Sequence, residues 1–264
     1  MGTSSRPADC CTIKQPSAHL LREKMKPNRL LIAIPAFNEE DSIGSVIVAT
    51  LKFYAASSVL VIDDGSTDET AKIARSYGVK VVQLPFNMGV GGAMRTAFMF
   101  AFRNNYDSVV QLDADGQHNP RFIEDLATRL GENDIVIGSR FAGKGSYRTI
   151  GPRRWAMRIL ARSVSKITGV KLTDVTSGFR IHGPRAIELF QWHYPSEYLG
   201  DTVESIVIAH RANLVVQEVP VEMNHRIAGR PSQSLIQATL FFFRAGLVLL
   251  LALVRPSVDS IRKR

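Results

Sequence analysis

Short, nearly continuous apolar runs alternate with helically spaced stretches along the first half of the chain. The runs are LLIAIPAF (30–37), SSVLVIDDG (57–65), VKVVQLP (79–85), DSVVQLDAD (107–115) and NDIVIGSR (133–140). Each has strand length, and each is apolar at consecutive rather than alternate positions, as in strands buried on both faces. The segments between them predict helices. EDSIGSVIVATL follows the first run with helical spacing. A helix through Tyr77 starts where Ser66 and Glu69 have capping-box spacing. A glycine-rich turn leads to a helix near 90–104, and Asn119–Pro120 supplies an N-cap and a first-turn proline for a helix to Leu130. The alternation predicts an α/β fold, a mostly parallel sheet with helices on both faces.

Beyond Arg140 the texture changes. A glycine-rich loop (142–151) leads to a basic helix near 153–167, and TDVTSGFR (173–180) reads as extended or looped. A helix near 200–212, a strand NLVVQEVPVEM (213–223) and a loop NHRIAGRPS (224–232) come next, before the apolar stretch 234–254. The expected organisation is a flexible polar leader (1–28), a catalytic domain (29–232) and a C-terminal membrane-associating helix with a basic tail (233–264).

Composition narrows the class. A chain of 264 residues, 45% hydrophobic, can bury a sizeable core. The net charge of +9 points to a polyanionic partner: nucleic acid, an anionic membrane surface or a phosphorylated substrate. Cys10 and Cys11 are adjacent and cannot staple distant segments, which fits a reducing, cytosolic setting; as tail cysteines they are open to palmitoylation. The N-terminus lacks a secretory apolar core, and Arg6 breaks the myristoylation pattern.

In parallel sheets ligands bind at the carboxyl ends of the strands. Asp63, Asp64, Asp113, Asp115 and Arg140 all fall at strand ends, so they should gather along one edge. Two acidic pairs there would repel each other, and a divalent cation removes the conflict. Mg2+ and Mn2+ are held by a few carboxylates together with substrate phosphates. GVGGAM (89–94) looks like a dinucleotide fingerprint, but Met94 occupies its sixth position and it follows the third strand. Its glycines instead allow close approach of a helix N-terminus. His118 reads as a solvated turn histidine, with metal ligation as the alternative.

Taken together, AIPAFNEE, VIDDGSTDET, NMGVGGAMRTAF, QLDADGQHNP, GSRF and TSGFR, in this order and spacing, resemble family 2 glycosyltransferases, especially the dolichyl/polyprenyl-phosphate sugar synthases. The resemblance covers about residues 30–232. It implies a glycosyltransferase A-type (Rossmann-like) fold and a nucleoside-diphosphate sugar donor. By the same resemblance Pro35, Ala36, Asn38 and Glu39 would line the nucleoside pocket, and Asp63 and Asp64 would contact base and ribose. Asp113 would lie beside the donor, and Asp115 and Gln117 would hold Mg2+ or Mn2+ on the diphosphate. Arg140 would lie near the transferring sugar and the acceptor phosphate.

Arg148, Arg153, Arg154, Arg158 and Arg162 crowd one basic region, with Arg154 and Arg158 on one helix face. They are expected to meet phosphate or anionic lipid, Arg154 at the acceptor phosphate. His225, Arg226 and Arg230 lie in a basic loop, and Arg226 is a further candidate for that phosphate. Residues 234–254 are apolar enough to span a bilayer, yet Gln237 and Arg244 share a stripe with Gln233, which favours a helix lying in the interface. Arg255, Arg262, Lys263 and Arg264 add basic anchors. Peripheral attachment at the cytoplasmic face is therefore expected; a packed core helix or docking onto a membrane subunit are the alternatives.

The leading expectation is inverting, metal-dependent hexose transfer to a polyprenyl phosphate. Transfer to a sugar hydroxyl of a cell-wall or capsular glycan is the second, with Asp201 or Glu204 as the base it would need, and a non-catalytic nucleotide-sugar-binding scaffold is the third. Nucleic acid is not an expected partner, because the acidic edge lies where a phosphate backbone would need cations. The sugar and the base stay open between GDP-mannose and UDP-glucose.

Overall fold

The computed structural model describes residues 29–140, 152–195 and 201–224, with the side chains of 152–156 outside that description. The expectations for the leader, the 142–151 loop, Arg148, the side chains of Arg153 and Arg154, His225, Arg226, Arg230 and the 234–254 helix with its tail fall outside the described residues.

The strands are β1 (Leu30–Ala36), β2 (Val59–Asp63), β3 (Lys80–Gln83), β4 (Ser108–Gln111), β5 (Ile135–Ser139), β6 (Arg180–His182) and β7 (Val216–Pro220). They form one sheet in the order β3-β2-β1-β4-β6-β5-β7. Only β6 runs antiparallel to its neighbours, inserted between β4 and β5. The helices are α1 (Ile43–Leu51), α2 (Thr70–Ser76), α3 (Gly89–Arg103), α4 (Ile123–Leu130), α5 (Pro152–Thr168), α6 (Pro184–His193) and α7 (Asp201–Arg211).

Of the continuous apolar strands, β1, β2, β4 and β5 bury both faces, as their pattern requires, whereas β3 at the sheet edge is only half-buried. One face packs Leu31, Leu60, Ile62 and Val109 against Phe98 of α3, Leu160 of α5, Phe190 of α6 and Ile206 of α7. The other packs Ile32, Ile34, Val61 and Val110 against Ile47 of α1, Ala74 of α2 and Leu126 of α4. His182 sits among Phe98 and Phe190 at ring-centroid distances of 4.9 and 5.7 Å. Burial, joined by the nearby Arg180 charge, pulls it down to about 3, so it stays neutral.

Two local expectations change. Ser66 does not cap α2; its hydroxyl accepts the Asn38 N–H at 2.9 Å, and Asp68 Oδ1 takes the Thr70 N–H at 3.0 Å instead. The loops after β1 and β2 are laced together, and that lacing outcompetes the capping box: Thr67 N–H donates to Asn38 Oδ1, Glu39 N–H to Thr70 Oγ1 and Glu69 N–H to Glu40 Oε2. The fourth strand also stops at Gln111, short of Asp115. Leu112 N–H still reaches Ala33 O at 2.9 Å. The chain then turns, with Asp115 Oδ1 accepting the Gln117 N–H and Gly116 at φ +79°.

Candidate active site

The parallel strands β2, β1, β4 and β5 all end at one edge, and the predicted carboxylates emerge there. Ala36 of β1 pairs with Asp63 of β2, and Ala33 pairs with Gln111 of β4. Asp63 and the Asp113–Asp115 loop therefore lie on either side of the β1 exit, where Pro35 and Ala36 sit. Asn38 and Glu39 follow in the laced loop.

Asp63 is fully buried, and its Oδ1 accepts the Ser66 N–H at 3.1 Å. Its Oδ2 is buried with no hydrogen-bond partner. A buried, unsatisfied carboxylate oxygen is costly, and a nucleobase N–H would satisfy it. Asp64 is turned elsewhere: its Oδ1 accepts the Met88 N–H at 2.7 Å, where α3 begins. Burial raises its carboxyl above the usual range, and hydrogen bonds from Met88 and Gly89 lower it in part. One oxygen of Asp64 thus anchors the glycine-rich turn. Gly65, at φ +73°, is required beside it, since a Cβ there would come within 2.7 Å of the Phe86 carbonyl carbon.

Asp113 is partly open, its side chain 36% exposed, with Oδ1 accepting from Gln111 Nε2 at 3.0 Å. Asp115 is buried, 6% exposed. Gln117 follows two residues later in the same turn.

Arg140 follows directly on β5 but is already engaged. Its Nε and Nη2 donate to Asp174 at 2.6 and 2.8 Å, and Nη2 also donates to Thr176 Oγ1 at 3.0 Å. The Asp174 side chain is fully buried. Glu218 of β7 in turn accepts from the Thr173 and Asp174 backbone N–H groups at 2.6 and 2.7 Å. Arg140 is thus one end of a clamp on the 173–178 loop.

Behind that loop lies a buried polar cluster, of which the sequence pointed only to Asp201, as the base a hydroxyl acceptor would need. Arg180 is 1% exposed and donates to the carbonyls of Ser177, Thr202 and Val175 at 2.7, 2.8 and 2.8 Å. Asp201, at the start of α7, is 9% exposed, and its Oδ2 has no partner; nor has Tyr194 Oη. Burial pushes the Asp201 carboxyl up to about 6; the Thr202 N–H and Arg180 oppose the rise and Asp113 adds to it. Burial likewise pushes the Tyr194 phenol up.

The Asp201 shift has a stability consequence. Its folded pKa lies above its ordinary value, so its penalty is absent below about pH 4 and complete once pH rises through about 6. Asp201→Asn should therefore gain up to about 3 kcal/mol relative to the unaltered protein between pH 4 and pH 8, read by urea unfolding. A difference that does not vary with pH would show that Asp201 is not a buried acid.

The sequence model described as Glycosyl transferase family 2 matches residues 31–188, more than half of the chain. The chain belongs to glycosyl transferase family 2. It is 30% identical over 218 residues to an undecaprenyl-phosphate mannosyltransferase of Micrococcus luteus, covering 78% of this chain and 88% of that protein. It is 27% identical to a UDP-N-acetylglucosamine–dolichyl-phosphate N-acetylglucosaminyltransferase of Methanococcus voltae, covering 75% of this chain and 86% of that one. Among solved structures it resembles glucosyl-3-phosphoglycerate synthase from Mycobacterium tuberculosis, in complex with Mn2+, UDP-glucose and phosphoglyceric acid. That likeness has a TM-score of 0.66 at 23% identity, over 87% of this chain and 81% of that one. The mixed sheet with helices on both faces is thus the fold of these glycosyltransferases, and the chain is a glycosyltransferase of this family.

Proposed function

We propose that this glycosyltransferase moves a hexose, with inversion, from a nucleoside-diphosphate sugar to a polyprenyl phosphate at the cytoplasmic face of a membrane, using Mg2+ or Mn2+. The observation that carries the reading is the strand-exit arrangement: Asp63 with an orphaned buried oxygen on one side of β1, Asp113 and Asp115 on the other. Relatives named for transfer onto undecaprenyl and dolichyl phosphates support the acceptor.

Asp115 and Gln117 carry oxygen donors of the kind a hard divalent ion takes. Among the described residues no three His, Cys, Asp or Glu side chains converge as a metal site. An ion held by Asp115, with Gln117 beside it, would complete its shell from diphosphate oxygens and water, as Mg2+ commonly does. Bound there, it would neutralise charge on the departing nucleoside diphosphate. Asp63 would orient the base, and Asp113 would sit beside the donor. The polyprenyl phosphate, with a second pKa of about 6, is largely dianionic at neutral pH and needs no general base. Arg140, Arg154 and Arg226 would compensate its charge. A thermal-shift panel tests the donor site. UDP or GDP at 100-fold its dissociation constant should stabilise the protein by about 2.7 kcal/mol when Mn2+ is present. No shift with any nucleoside diphosphate would contradict the reading.

No helix among the described residues is long and apolar enough to cross a membrane. Arg158, Arg162 and Lys166 form an exposed stripe at four-residue spacing on α5. We expect the full chain to co-sediment with anionic liposomes, and salt or Arg158→Glu/Arg162→Glu to weaken that several-fold. Indifference to both would rule out electrostatic attachment.

One observation favours a second reading, with a sugar hydroxyl as acceptor. Such an acceptor needs a base, and Asp201, with its pKa of about 6 and an unpartnered oxygen, has the properties of one. Glu204 is half-buried one turn further along α7.

A further inference from the structure

His118 is neither solvated nor free to ligate. It is 6% exposed, and its ring stacks on fully buried Phe179 at 5.0 Å and 23°. Its Nδ1 accepts the Asp113 backbone N–H at 2.9 Å, so the neutral ring carries its proton on Nε2. That nitrogen faces Asp113 Oδ2 at 3.4 Å. The other carboxylate oxygen takes the Gln111 amide, as described above. The loop itself is held from outside: His118 bridges Met223, and the neighbouring Gln117 carbonyl accepts the Asn224 N–H at 2.9 Å. A Cβ on Gly178 would come within 3.2 and 3.3 Å of the two Asp113 oxygens. The TSGF loop therefore walls the carboxylate on one side, Gln111 hydrogen-bonds one of its oxygens, and His118 Nε2 faces the other.

We propose that His118 is a positioning residue for Asp113, holding its carboxylate toward the donor. The inference rests on the reading of Asp113 as a donor-contacting residue. His118 touches no substrate in this account and acts only through the carboxylate it orients. Three predictions distinguish that role from a merely structural one. Replacing both ring nitrogens while keeping the stack, as in His118→Phe, should weaken nucleotide binding. The same change should do nothing further once Asp113 is gone, because residues acting through one group are not additive. His118→Gln, whose amide nitrogen can reach the place of Nε2, should restore binding, and His118→Asn, which supplies only the acceptor for the Asp113 N–H, should not.

The experiment is titration calorimetry on the full chain with Mn2+ and UDP or GDP, whichever the thermal-shift panel selects. His118→Phe is expected to bind about 10-fold or more weakly, Asp113→Ala more weakly still, and the double variant like Asp113→Ala. His118→Gln is expected within about 3-fold of the unaltered protein. Unaltered affinity in His118→Phe with Asp113→Ala impaired would overturn this inference alone, as would fully additive losses. Unaltered affinity in Asp113→Ala would overturn the donor-site reading and this inference with it. If His118→Phe does not fold, the Gln and Asn variants decide: equal affinity in the two overturns the proposal.

Discussion

Asp115→Asn is expected to weaken Mn2+-dependent nucleoside-diphosphate binding by about 100-fold or more while leaving the fold intact. Asp115 is buried, and its acceptance of the Gln117 N–H is a bond that an asparagine Oδ1 also makes. The substitution keeps the size of the side chain, removes its charge and replaces one acceptor oxygen with a donor nitrogen. A hard cation held by few protein ligands depends strongly on each carboxylate. Calorimetry with UDP or GDP, with and without Mn2+, reads the effect, and thermal unfolding checks the fold. Full affinity in the variant would remove Asp115 from the metal site.

The second large effect separates the two acceptors. If the acceptor is a phosphate, Asp201→Asn and Glu204→Gln should keep most transfer, whereas loss of the basic groups should cripple it. If the acceptor is a hydroxyl, one of the carboxylate variants should lose about two to four orders of magnitude, the usual weight of general base catalysis. The structure changes how the arginine arm is built. Arg140→Ala would strand the fully buried Asp174 carboxylate, at a cost of about 3–5 kcal/mol, and inactivity could then reflect unfolding. Arg140→Lys keeps a positive charge beside Asp174 while giving up the two-pronged contact, so it disturbs the fold less. Arg154→Ala on α5 is the companion variant. Transfer assays with polyprenyl phosphate on these four proteins decide between the acceptors, and full activity in both arginine variants would contradict the phosphate reading.

The elements that were legible in the sequence are those whose physics is local. Continuous apolar runs marked β1 to β5, and Asn119–Pro120 marked a helical start, which is a 3-10 turn (Pro120–Phe122) running into α4; Asn119 Oδ1 accepts the Arg121 N–H at 3.1 Å. Of the antiparallel β6 the sequence touched only Arg180, at the end of a segment read as extended or looped, because its three residues are Arg, Ile and His and all are buried. Nothing in that composition announces a central strand; its charged side chain is satisfied by the carbonyls of Val175 and Ser177 in the preceding loop and of Thr202 on α7. α6 was missed despite a signal: Gly183–Pro184 opens it, and Ala186, Ile187 and Phe190 have helical spacing. Within the site, the strand-end rule brought out Asp63, Asp113 and Asp115. It could not show that Asp64 anchors α3, that Arg140 is clamped by Asp174, or that His118 turns inward onto Phe179. Those outcomes depend on partners more than twenty residues away, which no local pattern encodes.

The central claim is transfer onto a lipid phosphate, and one measurement tests it most directly. The full chain is incubated with Mn2+, undecaprenyl phosphate and, in separate reactions, UDP-glucose, GDP-mannose or UDP-N-acetylglucosamine labelled in the sugar. The account predicts that label from at least one donor moves into the organic phase, that it does so only with both metal and lipid phosphate present, and that Asp115→Asn abolishes it. Label that stays aqueous with every donor, while the same protein glycosylates a sugar hydroxyl, would contradict it.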